Sequence, residues 1–327
     1  MICEWTTALT PALSPGERGN VKGEFVKSAG VRGFFSRGWV ALAVLFFCGW
    51  FRTAAADEAT PGFYGKGLCR FQLHQYVLPM ANQDKINYIV GDLLKRHEEV
   101  FHFTASTNLH VRIHIFGTFE GYRNYWVTNH SSFEHEYLSI SNLAGYYSTR
   151  DNVVVTWRQR DPTYLANNIL HECSHAIMHQ QYRELPVWLD EGCAVYFSYP
   201  TYMRDEHDDL VLKSRWYELR KWLDEGALPD LRKFLDVTPQ QFQMQDAAKT
   251  YPVSWSIFQL LMSTPENRRA LYALVQEYQK IGQKPPDCAL LLNKFYPGGL
   301  AKMDKDWHAW IKQGAETLLG PPERLTP

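Results

Sequence analysis

Apolar and polar residues alternate over residues 70–78 and again over 109–116, where Leu109, Val111, Ile113 and Ile115 fall on one side. A period of two places alternate side chains on one face of a strand. Between these stretches, residues 83–103 repeat apolar side chains every three or four positions, the spacing of an amphipathic helix. The folded part is therefore expected to open β-α-β. Residues 119–127 read as a short helix. Gly145-Tyr146-Tyr147-Ser148 and residues 152–157 bracket Thr149-Arg150-Asp151, which has hairpin-turn chemistry, so the sheet is expected to end in an antiparallel pair.

From Pro162 onward the period is helical nearly to the C-terminus, with helices expected over 163–181, 186–198, 210–224, 229–235, 252–262, 268–281 and 303–313. Pro186 and Pro252 are each placed near a first helical turn, where a missing N–H costs nothing. Strands first and helices afterwards make an α+β layout: an N-terminal mixed sheet with an antiparallel edge hairpin, then a mainly helical C-terminal part. The organisation expected is a leader over 1–56, a sheet-containing part over 57–200 and a helical part over 201–327 that completes a cleft.

The leader changes the picture most. Arg32 and Arg37 precede an apolar run over 38–51, and Ala54-Ala55-Ala56 supplies small residues before Asp57, the pattern of a signal peptide. Export to the periplasm, cell envelope or exterior is the expectation. The run is shorter than the roughly 20 residues of a spanning helix, so no stable span is expected after cleavage; an uncleaved leader would act as an anchor. Residues 1–30 carry Pro, Gly and charge without periodicity and are set outside the fold.

Composition adds little. The chain has 327 residues, 45% of them apolar, and a formal net charge of -1, which gives no global reason to expect nucleic acid or an anionic membrane as partner. The 14% aromatic content reads as a thick helical core. Cys69, Cys173, Cys193 and Cys288 make an even number after the leader, enough for two disulfides in three connectivities. Cys173 and Cys193 read equally well as a bridge and as small buried hydrophobes.

The candidate chemistry lies in His171-Glu172-Cys173-Ser174-His175. Histidines four apart on a helix project from one face, one turn above the other, so both imidazoles can meet one Zn²⁺ at about 2.0–2.1 Å. Glu172 is offset around the helix, where it can act as general base toward an activated water. A third ligand is needed, and Glu191 is the best placed. It opens a second helix, and fifteen residues separate it from His175, room for a turn and an antiparallel return. Two histidines and one carboxylate leave a fourth position open, the arrangement of a catalytic zinc site.

The segment Trp188-Leu189-Asp190-Glu191-Gly192 has a second copy, Trp222-Leu223-Asp224-Glu225-Gly226. Glu225 ends a helix with Gly226 as its cap and reads as structural. His179 extends the histidine series by one more turn, either as a ligand or as a helix-end residue. Asp190 is a candidate acceptor for a ligating imidazole.

The pair of segments His171-Glu172-Cys173-Ser174-His175 and Trp188-Leu189-Asp190-Glu191-Gly192-Cys193-Ala194-Val195-Tyr196-Phe197 resembles the gluzincin metallopeptidases, including the aminopeptidase N-like group and smaller bacterial peptidase MA-like families. The resemblance implies a zincin-like fold, one zinc per chain held by His171, His175 and Glu191, and Glu172 as base. It also implies Tyr251 as a donor to the developing oxyanion. No Gly-x-Met-Glu-Asn segment precedes the motif, so recognition of a free N-terminus is not carried over. The hairpin edge, where an extended peptide could pair, favours an endopeptidase acting on peptide or protein substrates. A zinc hydrolase of another amide or ester, and a non-catalytic binding protein of the cell envelope, are the alternatives.

Overall fold

The sheet is built from β1 (Thr6–Thr7), β2 (Cys69–His74), β3 (Val111–Phe116), β4 (Gly145–Ser148) and β5 (Val153–Trp157), in the order β1-β4-β5-β3-β2. Strand β3 runs parallel to both β2 and β5, while β4 is antiparallel to β5. In this computed structural model the described residues are 6–7, 63–106, 109–129, 144–159, 162–182, 184–200, 206–280 and 287–313. They belong to one compact unit. The leader, apart from Thr6–Thr7, and the expected cleavage site lie outside them.

Register explains the sheet's two faces. Phe71 pairs with Ile113, and Ile113 with Val154, a row of fully buried side chains. Together with Cys69, Val111, Ile115 and Tyr147 they face the main core. The intervening residues Phe116, Tyr146, Val153 and Val155 face the other way, onto Tyr122 and Trp126 of α2 (Phe119–Asn129). Both faces are thus covered, and each fully buried large aliphatic or aromatic side chain contributes about 1.5–3 kcal/mol.

Helix α1 (Met80–Phe101) forms the crossover between β2 and β3. The remaining helices are α3 (Pro162–Gln181), α4 (Val187–Phe197), α5 (Glu206–Asp224), α6 (Leu231–Leu235), α7 (Pro239–Gln243), α8 (Ala247–Met262), α9 (Pro265–Tyr278), α10 (Cys288–Phe295) and α11 (Gly299–Gln313). Helix α3 lies on the sheet against β3, β4 and β5, flanked by α1 and α4, and α4 packs in turn against α8. The α+β layout expected from the sequence is present. Among the described residues no helix is long and apolar enough to cross a membrane.

Details of the strands and helices differ from the expectation. The hairpin connection is four residues, Thr149 to Asn152, closed by Asn152 at φ 51, and β4 is not outermost because Thr6 and Thr7 pair with Ser148 and Tyr147. Helix α8 starts at Ala247, where the Asp246 carboxylate accepts from the Ala248 N–H. Pro252 is consequently inside the helix, where its missing N–H withdraws the donor from the Ala248 carbonyl. Helices α7 and α10 were not expected, being too short for apolar periodicity to register, although Thr238 and Gln241 form a capping box at α7. All four described cysteines are buried free thiols.

Candidate metal centre

Residues 167–178 of α3 are buried on every side, between the sheet, α1 and α4. Buried polar groups must find partners or a ligand, so Asn168, His171, Glu172, Ser174 and His175 are held to a strict account.

His171 and His175 bring their Nε2 atoms to 3.2 Å from each other. From α4, Glu191 places Oε2 3.4 Å from the first and 3.7 Å from the second. All three ligand-type atoms lie within 4.8 Å of one another. At zinc–nitrogen lengths of about 2.0–2.1 Å, a tetrahedral ion holds its ligand atoms about 3.3 Å apart, close to the spacings found. Glu191 Oε2 is buried with no hydrogen-bond donor. Burial pushes the Glu191 carboxyl up to about 8, and burial aided by the Arg215 charge holds His171 down at about 3. Two imidazole nitrogens facing a buried carboxyl oxygen that has no hydrogen-bond donor form a donor set that fits a divalent cation.

Asp190, next to Glu191, points at the far side of the histidines. Its Oδ1 lies 2.9 Å from His175 Nδ1, a short but bent contact, and its Oδ2 lies 2.9 Å from His179 Nε2. Burial alone would raise the Asp190 carboxyl, but His175 and His179 outweigh it and hold it well below the usual range. In the other direction, burial lowers His179, and Asp190 overcomes that and raises it. An acceptor at Nδ1 fixes the His175 tautomer with its Nε2 lone pair toward the cluster. His175, His179 and Asp190 form a second group of ligand-type atoms, yet here Asp190 already meets both imidazoles at 2.9 Å. His179 is thus engaged through Asp190 and stands apart from the His171–His175–Glu191 set.

Glu172 is fully buried, and Asn168 Nδ2 donates to its Oε1 at 3.4 Å. Asn168 is positioned by the sheet: Thr156 Oγ1 donates to its Oδ1 at 2.8 Å, and a Cβ on Gly145 would lie 2.5 Å from that same oxygen. Tyr251, from α8, directs its hydroxyl to Glu191 Oε1 at 3.3 Å, with its ring 6.3 Å from the His171 ring. The five residues singled out in the sequence, His171, Glu172, His175, Glu191 and Tyr251, thus belong to three neighbouring helices. Glu225 is exposed beyond the end of α5, beside Gly226 at φ 64, as its capping context predicts.

Sequence reasoning missed Asn168 and Thr156. The signal was faint: Asn168 precedes Glu172 by one helical turn, but only the sheet register reveals Thr156 beneath it. A third unexpected group stands behind the ligand helices, where Ser174 Oγ lies 2.9 Å from His97 Nε2 and Cys193 Sγ lies 3.7 Å from the same nitrogen. Cys193 thus faces α1, and no bridge to Cys173 forms. No protein-family model matches the chain, and no curated protein matches it.

Proposed function

We propose that this chain is a zinc-dependent hydrolase of gluzincin type with a zincin-like fold, a peptidase acting on peptides or proteins outside the cytoplasm. The observation that carries the reading is the convergence of His171 Nε2, His175 Nε2 and the donorless Glu191 Oε2 at spacings of 3.2, 3.4 and 3.7 Å. One ion per chain would be held by these three residues. Bound there, zinc supplies Lewis acidity that polarises a substrate carbonyl and lowers the pKa of a water.

The protein groups have separate tasks. Glu172 takes a proton from the attacking water and later delivers one to the leaving amine, which departs poorly as an anion. Asn168 restrains Oε1 of that carboxylate, so the base is oriented before substrate arrives. Asp190 fixes the ring of His175, and Tyr251 restrains the free oxygen of Glu191. Export rests on the leader pattern, and peptide substrates rest on the resemblance of the two motif segments to metallopeptidases.

The test is Glu172→Gln, assayed for zinc content and for cleavage of a peptide library read by mass spectrometry. Retained zinc with hydrolysis reduced by roughly 10²–10⁴-fold is expected. Retained zinc with hydrolysis unchanged would favour a non-catalytic binding protein, and cleavage of esters or non-peptide amides alone would reassign the substrate class.

A further inference from the structure

A buried hydrogen bond joins helix α5 to α3. Asn167 Nδ2 donates to Asp208 Oδ1 at 2.8 Å, and Asn167 stands one turn before His171 on α3. Asp208 and Arg215 are seven positions apart on α5, two helical turns, and so share a face with the buried Leu212 between them. Arg215 accordingly leaves α5 on the side turned to α3, where Asn167 and His171 share a helical face.

The surroundings of this guanidinium are incomplete. Its carbon lies 5.2 Å from the Tyr199 ring centroid, a cation–π contact. Nε and Nη1 are buried and donate to no acceptor. Arg112, by contrast, donates to the carbonyls of Asp151 and Asn152. A buried N–H of a charged group without an acceptor is costly, and a divalent ion at the neighbouring site adds repulsion. Both costs disappear when an anion enters between the two cations.

We propose that Arg215 is a specificity-determining residue that receives a carboxylate of the substrate beside the metal centre. The planar fork of a guanidinium matches a carboxylate with two parallel N–H bonds, and Tyr199 holds the fork flat. The carboxylate comes from an acidic side chain or from a peptide C-terminus. The inference rests on the metal reading of His171, His175 and Glu191.

Three thiol probes separate the sources on the zinc-loaded chain, followed by titration calorimetry. Mercaptoacetyl-leucine carries a C-terminal carboxylate, mercaptoacetyl-glutamic acid α-amide carries a side-chain carboxylate, and mercaptoacetyl-leucinamide carries none. One of the two acids is expected to bind roughly 10- to 100-fold more tightly than the amide, and which one identifies the source. Arg215→Gln should abolish the ratio of acid to amide affinity, while Arg215→Lys should keep part of it. Equal affinities for all three probes, an advantage that survives Arg215→Gln, or an equal loss for all three would overturn the proposal with the metal reading intact. Failure of even the amide to bind the unaltered chain would overturn the metal reading, and this inference with it.

Discussion

A Cβ added to Gly192 would lie 2.5 Å from the carbonyl oxygen of Ser254, so α4 and α8 meet there backbone to backbone. Gly192 follows Glu191 directly, and Ser254 lies about one turn beyond Tyr251, so this contact brings the Tyr251 hydroxyl within 3.3 Å of Glu191 Oε1. Phe258 Cβ, one turn further along the same face of α8, lies 3.1 Å from the same added atom. Gly192→Ala should force the helices apart, cost about 1–3 kcal/mol of stability as overpacking does, and weaken zinc binding. Denaturant unfolding and zinc-chelator competition measure the two effects; unchanged stability would contradict the close approach.

Asp190 engages two imidazoles at 2.9 Å each. Asparagine offers only one carbonyl oxygen and presents an amide to the second ring. Asp190→Asn should therefore weaken zinc affinity about 10–100-fold, the usual effect of removing a partner that orients a ligating histidine. His179→Gln leaves the His175 contact in place and should cost less. Metal-buffer titrations of the two variants check the order.

His97 donates from Nδ1 to the Leu93 carbonyl at 2.8 Å, leaving Nε2 to accept from Ser174. Burial lowers its pKa from 6.5 to about 3. Between those values the unfolded chain binds a proton that the folded chain does not. The contribution is whole above pH 6.5 and is lost as pH falls toward 3, at about 1.4 kcal/mol per pH unit. His97→Gln should accordingly show a shallower fall in unfolding free energy from pH 6 to pH 4, measured with chelator present so that metal release does not contribute.

Burial raises the Cys173 and Cys193 thiols well above their ordinary value, and Cys69 and Cys288 are raised likewise. A chain beginning at Asp57 should react slowly with a thiol reagent when folded and release four equivalents when denatured without reductant. Two equivalents or none would show that bridges form on export.

The parts of the fold legible in the sequence are those with a long period. Alternation over Val111–Phe116 survives because Val111, Ile113 and Ile115 enter the main core together, and the helical spacing over 83–103 because one face of α1 is buried. Pro252 misled because the run of large apolar residues begins after it, while the first turn of α8, Ala247-Ala248-Lys249-Thr250, carries none and is marked only by the Asp246 cap. The convergence of His171 and His175 was legible because histidines four apart share a helical face whatever the rest of the fold does. The support for Glu172 was not, since Asn168 depends on Thr156 from β5 and on the missing side chain of Gly145 in β4. Arg215 was equally hidden: its importance lies in what it fails to touch.

A metal site built from His171, His175 and Glu191 is tested by the zinc content of the purified chain beside its Glu191→Ala and Glu225→Ala variants. About one zinc per chain is expected, retained in Glu225→Ala and lost in Glu191→Ala. No zinc in the unaltered chain after reconstitution, or equal retention in both variants, would contradict it.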